Sequence, residues 1–333
     1  MMRNRSLVRG FALLVAVTLS PLHAPAQGRG STAARTPDGK PDLAGNYSFS
    51  TVTPLQRPDA LAGKETLTAD EAASFEAAEN TRLNRDLFDP EKGQPSAGYA
   101  PRALGGVLSY NEFWYERGNK LTRDRRTSLI VDPPDGTIPL TDAARRRVAE
   151  MRQRSDSGLG DSYTDRPLAD RCLQGFNSGP PMTPGAYNNN VQIVQSPGVV
   201  VIVNEMVHNA RIIPTDGRPH TTLRQWSGDS RGRWEGDTLV VETINFRRET
   251  SLPGSTANTR LVERFTRVDA DTIKYEFTVT DPTAYTRPWS AMMPLMRIRD
   301  PLFEYGCHEG NYSLRNILAG ARKQEREREK AEP

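Results

Sequence analysis

Val191-Gln192-Ile193-Val194-Gln195, then Ser196-Pro197-Gly198, then Val199-Val200-Val201-Ile202-Val203-Asn204 decide the fold class. Two β-branched runs separated by a Pro-Gly turn predict a hairpin. Its second arm is apolar on both faces and is expected inside a sheet. Further strand signals follow at His208–Ile213, Leu223–Ser227, Thr238–Asn245, Leu261–Val268 and Thr272–Thr280. Turns are expected at Thr215-Asp216-Gly217, Gly228-Asp229, Gly236-Asp237, Pro253-Gly254 and Asp269-Ala270-Asp271, and the pieces Gly228-Asp229-Ser230-Arg231-Gly232 and Glu235-Gly236-Asp237-Thr238 read as turns throughout. Connections this short require antiparallel neighbours, because a parallel crossover takes about a dozen residues or more. The expected fold is therefore mainly β: an antiparallel meander closing as a lipocalin-like barrel with a few peripheral helices, a two-sheet sandwich being the alternative.

Upstream, Pro41–Phe49 reads as a first strand, and Tyr110–Tyr115 and Thr127–Val131 as two more. Thr68 and Glu71 have capping-box spacing, and Ala72, Phe75, Ala78 and Leu83 share a helical face. A second helix is marked by Thr141 and Asp142, with Ala144, Val148 and Met151 along one side. Arg152–Pro184 reads as a long loop, Leu314–Lys323 as a closing helix, and the Arg/Glu tail after it as a solvated end.

The 333 residues suit one large domain or two ordinary ones. Residues 1–26 have the three parts of a secretory signal: a basic start through Arg9, an apolar stretch from Gly10 to Leu22, and Ala24-Pro25-Ala26. Cleavage is expected after Ala26, leaving 27–333 as a single β-rich domain with helical N-terminal elaborations and a C-terminal helix. The apolar stretch is too short for a bilayer that needs about 20 residues, so the product is expected to be periplasmic or secreted, without a membrane partner. Loss of Arg3, Arg5 and Arg9 brings the 44 basic residues level with the 41 acidic ones. That balance argues against a nucleic-acid partner, which is held by neutralising phosphates. No Gly-rich loop joins a strand to a helix, so the common nucleotide-binding folds are excluded. The two cysteines, Cys172 and Cys307, are expected to pair in an oxidising compartment.

Three histidines remain after leader removal: His208, His220 and His308. Imidazole titrates nearest neutral pH and is the commonest metal ligand. The three are thus candidate ligands of a divalent metal, or His208 and His308 are proton carriers, or each is a hydrogen-bonded structural residue. Glu205 and Glu309 are their acidic partners by proximity in sequence, although strand alternation would set Glu205 and His208 on opposite faces. Arg211, Arg218 and Asn189 are candidate substrate-binding groups, since guanidinium and amide donors suit a carboxylate, a sugar or an oxyanion. Trp226 is a candidate wall of a binding cleft, with core packing as the alternative.

The segments Tyr187–Ile193, Glu205–His208 through Arg211–Pro214, Asp216–His220, Gly228–Thr243 (GDSRGRWEGDTLVVET) and Cys307–Tyr312 (CHEGNY) resemble a large family of exported, largely uncharacterised bacterial proteins. The resemblance spans nearly the whole mature chain and implies a single exported domain; it transfers no activity. Asn209 stands where the family pattern has Asp, which weakens a carboxylate-oriented role for His208. The expected function is an exported enzyme using acid–base chemistry of the lyase, isomerase or hydrolase type on a small molecule in a barrel pocket. The alternatives are a periplasmic small-molecule binder without catalysis and a three-histidine metal protein.

Overall fold

A computed structural model describes residues 34–87, 112–156, 160, 162–248 and 252–331. The expected leader, 1–26, lies outside them. The described residues belong to one compact unit, Ala33–Pro333, and no helix among them is long and apolar enough to cross a membrane.

The protein is mainly β. Ten strands, β1 (Gly45–Ser48), β2 (Ile130–Asp132), β3 (Asn190–Ser196), β4 (Val199–Asn204), β5 (Ala210–Pro214), β6 (Asp229–Glu235), β7 (Thr238–Ile244), β8 (Arg260–Arg267), β9 (Thr272–Thr280) and β10 (Trp289–Ile298), form one sheet. Three α-helices accompany it: α1 (Ala69–Leu83), α2 (Asp142–Asp156) and α3 (Tyr312–Ala331). The order is β5-β4-β3-β1-β10-β9-β8-β7-β6, with β2 added beside β10. The single meander expected from sequence is thus two, β3–β5 and β6–β10. They are joined by β1, whose Tyr47 lies opposite Val191 on one side and Arg297 on the other.

Three strand assignments change. Leu223–Ser227 forms no strand and contributes only an isolated bridge from Gln225 to Phe246. The segment Gly-Asp-Ser-Arg-Gly, read as a turn, instead supplies most of β6. Ser230, Gly232 and Trp234 occupy its more buried positions, an inward set without the β-branched pattern that marks a strand. Gly232 is required because a Cβ there would sit 2.7 Å from Thr215 Cγ2 and 3.0 Å from Ile213 Cγ2. β6 and β5, the two ends of the sheet, therefore approach closely, but among the described residues no ladder joins them.

β10 carries no obvious strand signature because Pro294 interrupts it. Met292 donates its N–H to the Leu129 carbonyl on the β2 side, so the alternate position 294 faces the same way. Neither β2, which ends its pairing at Ala291, nor β1, which starts at Met296, needs a donor there. The expected strand at Tyr110–Tyr115 is also revised: its described part turns as a 3-10 helix over Glu112–Trp114.

α1 begins with the expected reciprocal cap between Thr68 and Glu71. Ala72 and Phe75 pack on Val52, Leu67 and Leu121, while Ala78 is exposed. α3 runs through the tail expected to fray, supported by Arg322–Glu325 and Lys323–Glu327 pairs at helical spacing.

Alternation drives one face of the sheet into a solid core. Leu261 and Phe265, Ile273 to Val279, and Trp289 to Leu295 contribute alternate buried residues. Phe265, Tyr275, Phe277 and Trp289 stack with successive centroid separations of 4.9, 5.8 and 5.7 Å. Inside this core Arg211 forks onto Glu263, with Nη2 3.0 Å from Oε1 and Nη1 bonded to Oε2. Tyr275 donates to the same carboxylate at 2.7 Å and accepts from the Met182 N–H at 3.1 Å. Burial, then the Glu263 charge, pushes the Tyr275 phenol well above its ordinary range. Arg211 is thus committed to an internal ion pair binding the two meanders, which corrects its reading as a substrate ligand.

Candidate functional site

The segment entering β3 and the turn leaving β4 meet where the first meander begins and its first hairpin ends. Asn188 adopts a left-handed conformation (φ 52°), which asparagine tolerates better than most residues. That places Asn189 and Asn190 inward. Asn189 is wholly buried; its Oδ1 accepts from Gly185 N–H (2.7 Å) and Asn177 Nδ2 (3.1 Å), and its Nδ2 donates to the Glu116 and Gly185 carbonyls. Its amide is fully used in clamping loops, so Asn189 is not free to hold a substrate.

Asn190 is different. Its Nδ2 donates to Glu205 Oε2 at 2.8 Å and also lies 3.3 and 3.4 Å from the two carboxylate oxygens of Glu116. Two carboxylates therefore share one amide nitrogen. Glu205 is buried, 4 % exposed, and its other oxygen accepts the Phe303 N–H at 3.0 Å. Glu116 is exposed as a residue but turns its carboxyl inward. Burial of that carboxyl, then the charges of Glu205 and Asp300, raise its pKa against the opposing hydrogen bond from Asn190. This is the environment in which a carboxylic acid keeps its proton longer than usual.

The surroundings are rich in acceptors. Asn177 Oδ1, Asn190 Oδ1 and Asn204 Oδ1 are buried without a hydrogen-bond partner, although buried polar atoms are ordinarily paired. Aromatic side chains flank the same residues: Phe113 and Trp114 precede Glu116 and are 84 and 64 % exposed, and Phe303, at the Glu205 contact, is 69 % exposed. Phe176 stacks edge-on against Tyr187 at 5.3 Å. The arrangement can donate a proton, accept several hydroxyl or amine donors and cover an apolar ring face.

The other expected site residues are dispersed. His208 is exposed at the end of the 3-10 turn Met206–His208 and donates its N–H to the Glu205 carbonyl; the two residues share a tight turn rather than opposite strand faces. Val207 and His208 both have positive φ, 59° and 40°. His220 places Nδ1 3.2 Å from Asp229 Oδ2, and Asp229 also binds Arg231. Arg218 forks onto Asp216 in the exposed β5–β6 connection. Trp226 lies under two guanidinium groups, Arg247 at 4.4 Å and Arg171 at 5.4 Å. His308 and Glu309 are exposed beyond Cys307. Cys172 and Cys307 form the expected disulfide, with Cα atoms 5.7 Å apart.

Among the described residues no three His, Cys, Asp or Glu side chains gather as a metal-ligand group, so His208, His220 and His308 are not assembled as a triad. Glu116 escaped the sequence reading because its role depends on folding against Asn190, 74 positions later, and nothing local distinguishes Tyr-Glu-Arg from a solvated loop. No protein-family model matches the chain, and no curated protein matches it.

Proposed function

We propose that this chain is an exported enzyme performing acid–base chemistry on a small hydroxyl-bearing molecule, with Glu116 as proton donor and Glu205 as the second carboxyl of the pair. The sharing of Asn190 Nδ2 by one raised, reachable carboxyl and one buried carboxylate carries the reading. Unfilled amide oxygens and exposed aromatic rings favour a hydroxylated ring such as a sugar, since such a guest supplies donors at its edge and an apolar face. The reaction is of the hydrolase, lyase or isomerase type. A leader at 1–26 and the disulfide support a periplasmic or secreted location. The close approach of Gly232 to Ile213 and Thr215 supports a lipocalin-like barrel whose last seam is side-chain packing. In this reading the site lies in the loops bordering β3 and β4 rather than in a barrel pocket, a choice supported by the large buried rings of the sheet's inner face.

A second reading, a binder without catalysis, is favoured by the burial of Glu205 behind the Phe303 backbone. A thermal-shift screen of monosaccharides, polyols and amines, followed by turnover assays on the hits, separates the two. Expected are hits among hydroxylated rings, binding retained by Glu116→Gln, and turnover lost by that variant. Turnover of the parent should fall as pH rises through the raised Glu116 pKa, because the acid form is then depleted. Ligands that bind but are never converted would leave the binder reading in possession.

A further inference from the structure

The outward face of the sheet differs between its two halves. On the second meander it is laced with ion pairs: Arg233 and Arg264 with Glu235, Arg260 with Glu242, and Lys274 with Glu276. On β3, β4 and β5 the outward positions carry no charge at all. Register fixes which residues share that face. Val194 lies opposite Val201, and Val201 opposite Ile212, so three β-branched side chains form a row across the strands. Val203 and Ala210 pair in the row on one side of it, Val199 and Pro214 in the row on the other. Ile212 is 67 % and Val194 43 % exposed, and the outward valines of β4 are partly exposed. An antiparallel sheet commonly turns polar residues to water, as the second meander does, so an apolar strip on the first marks a contact surface.

The strip runs into the carboxyl pair. Asn190 alternates with Gln192 and Val194 along the outward side of β3. Glu205 comes two residues after Val203 and donates its N–H to the Asn190 carbonyl, so the pair that shares Asn190 Nδ2 is the next row of the same face. At about 3.3 Å per residue, Val201 stands roughly 13 Å from Glu205 along β4. On the β1 side the strip ends at polar residues, Gln192 lying opposite Asn46.

Its size selects the occupant. Three strands about 4.8 Å apart give a strip roughly 10 Å wide, and a footprint on the order of 200 Å² is far below the roughly 800 Å² that each partner buries in a standard protein interface. A second copy of the chain would therefore gain too little here, whereas one alkyl or aryl group fits. The absence of charge matches an uncharged tail, and the carboxyls and unfilled amide oxygens at its end match a ring with hydroxyl donors.

We propose that the ligand of the Glu116–Glu205 site is amphipathic: a hydroxylated ring at the carboxyl pair, bearing an uncharged alkyl or aryl tail that lies along Val203, Val201, Val194 and Ile212. This rests on the reading of the carboxyl pair as the functional site and assigns the second half of the molecule it takes.

Isothermal titration with the methyl and octyl forms of glucoside, galactoside and mannoside, and with 1-octanol, tests it. Full burial of a methylene is worth about fourfold in affinity, and one-sided cover about twofold. At least one octyl glycoside is therefore expected to bind tenfold or more tighter than both its methyl counterpart and 1-octanol. Val201→Thr/Ile212→Thr keeps two good strand formers at exposed or partly exposed positions; it should weaken that octyl glycoside at least fivefold and leave the methyl form unchanged. Glu116→Ala touches only the ring and should weaken both forms by the same factor. Affinity that responds to Glu116→Ala but not to tail length, or to tail length but not to the threonine variant, would overturn the amphipathic ligand and leave the carboxyl pair in place. Tail-dependent binding indifferent to Glu116→Ala would put the ring elsewhere and defeat both readings. Equal affinity for 1-octanol, or a parent dimer in sedimentation that the threonine variant dissociates, would also refute the proposal. Circular dichroism checks the fold of the double variant, and Ile212→Thr alone supplies the same comparison if the double variant does not fold.

Discussion

Replacing Arg211 by methionine separates a structural ion pair from a ligand contact. Glu263 is 0 % and Arg211 6 % exposed by side chain, and their contact is a two-pronged fork. Methionine fills much of the same space but leaves the Glu263 carboxylate deep in the core with only the Tyr275 hydroxyl. Stranding one member of a buried pair costs about 3–5 kcal/mol, a large part of the roughly 5–15 kcal/mol that holds a typical domain folded. At about 2–4 °C per kcal/mol in a chain of this size class, the melting temperature should fall by roughly ten degrees. Urea unfolding with the disulfide intact measures the same loss as a shift in midpoint. Arg211→Met combined with Glu263→Gln removes the stranded charge while keeping an acceptor for Tyr275, so the double variant should be more stable than Arg211→Met alone. An Arg211→Met protein within about 1 kcal/mol of the parent, or a double variant whose loss is the sum of the singles, would show that the pair is not the tie described. A ligand-binding Arg211 would give the reverse pattern, with stability kept and affinity lost.

Glu116→Gln should raise stability at pH 7. The native pKa of Glu116 lies above its unfolded value, so ionisation at neutral pH disfavours the folded state, and the gain should vanish below about pH 4, where the parent carboxyl is protonated in both states. Melting at the two pH values checks it, and a variant less stable at pH 7 than at pH 4 relative to the parent contradicts the assignment. Gly232→Val drives side-chain atoms into Thr215 and Ile213 and should cost about 1–3 kcal/mol in urea unfolding; no loss would mean that β5 and β6 do not meet there. Removing both cysteines releases a loop closed across 135 positions and should cost about 5 kcal/mol on the chain-entropy model, read from unfolding midpoints of parent and Cys172→Ser/Cys307→Ser.

Strands carrying β-branched alternation were legible: β3, β4, β7, β8 and β9 lie close to where their residues place them. Those whose inward residues serve another purpose were not. In β6 the inward set must leave room for β5, so it uses Ser230 and Gly232, which read locally as a turn. In β10 the proline that argues against a strand falls at the gap between β1 and β2, where its missing donor costs nothing. The position of β1 between the two meanders depends on pairings to residues more than 140 positions away, for which a four-residue strand carries no local signal.

The same physics fills the inner face of the sheet. Reading a meander as a hollow barrel assumes inward side chains too small to meet, yet Tyr47, Phe265, Tyr275, Phe277 and Trp289 all point inward and bury almost completely. Rings of that size fill the space, and a guest could enter only by displacing contacts each worth about 0.5–1.5 kcal/mol beyond area burial. The charged cluster of Arg211, Glu263 and Tyr275 in this core is closed on itself, since the three satisfy one another. The proposed chemistry therefore falls to the segments that leave the sheet, where backbone geometry is set by turns and by the disulfide rather than by strand pairing. The place around Asn190 gathers carboxylates and unfilled amide oxygens, which suit a donor-rich neutral ring.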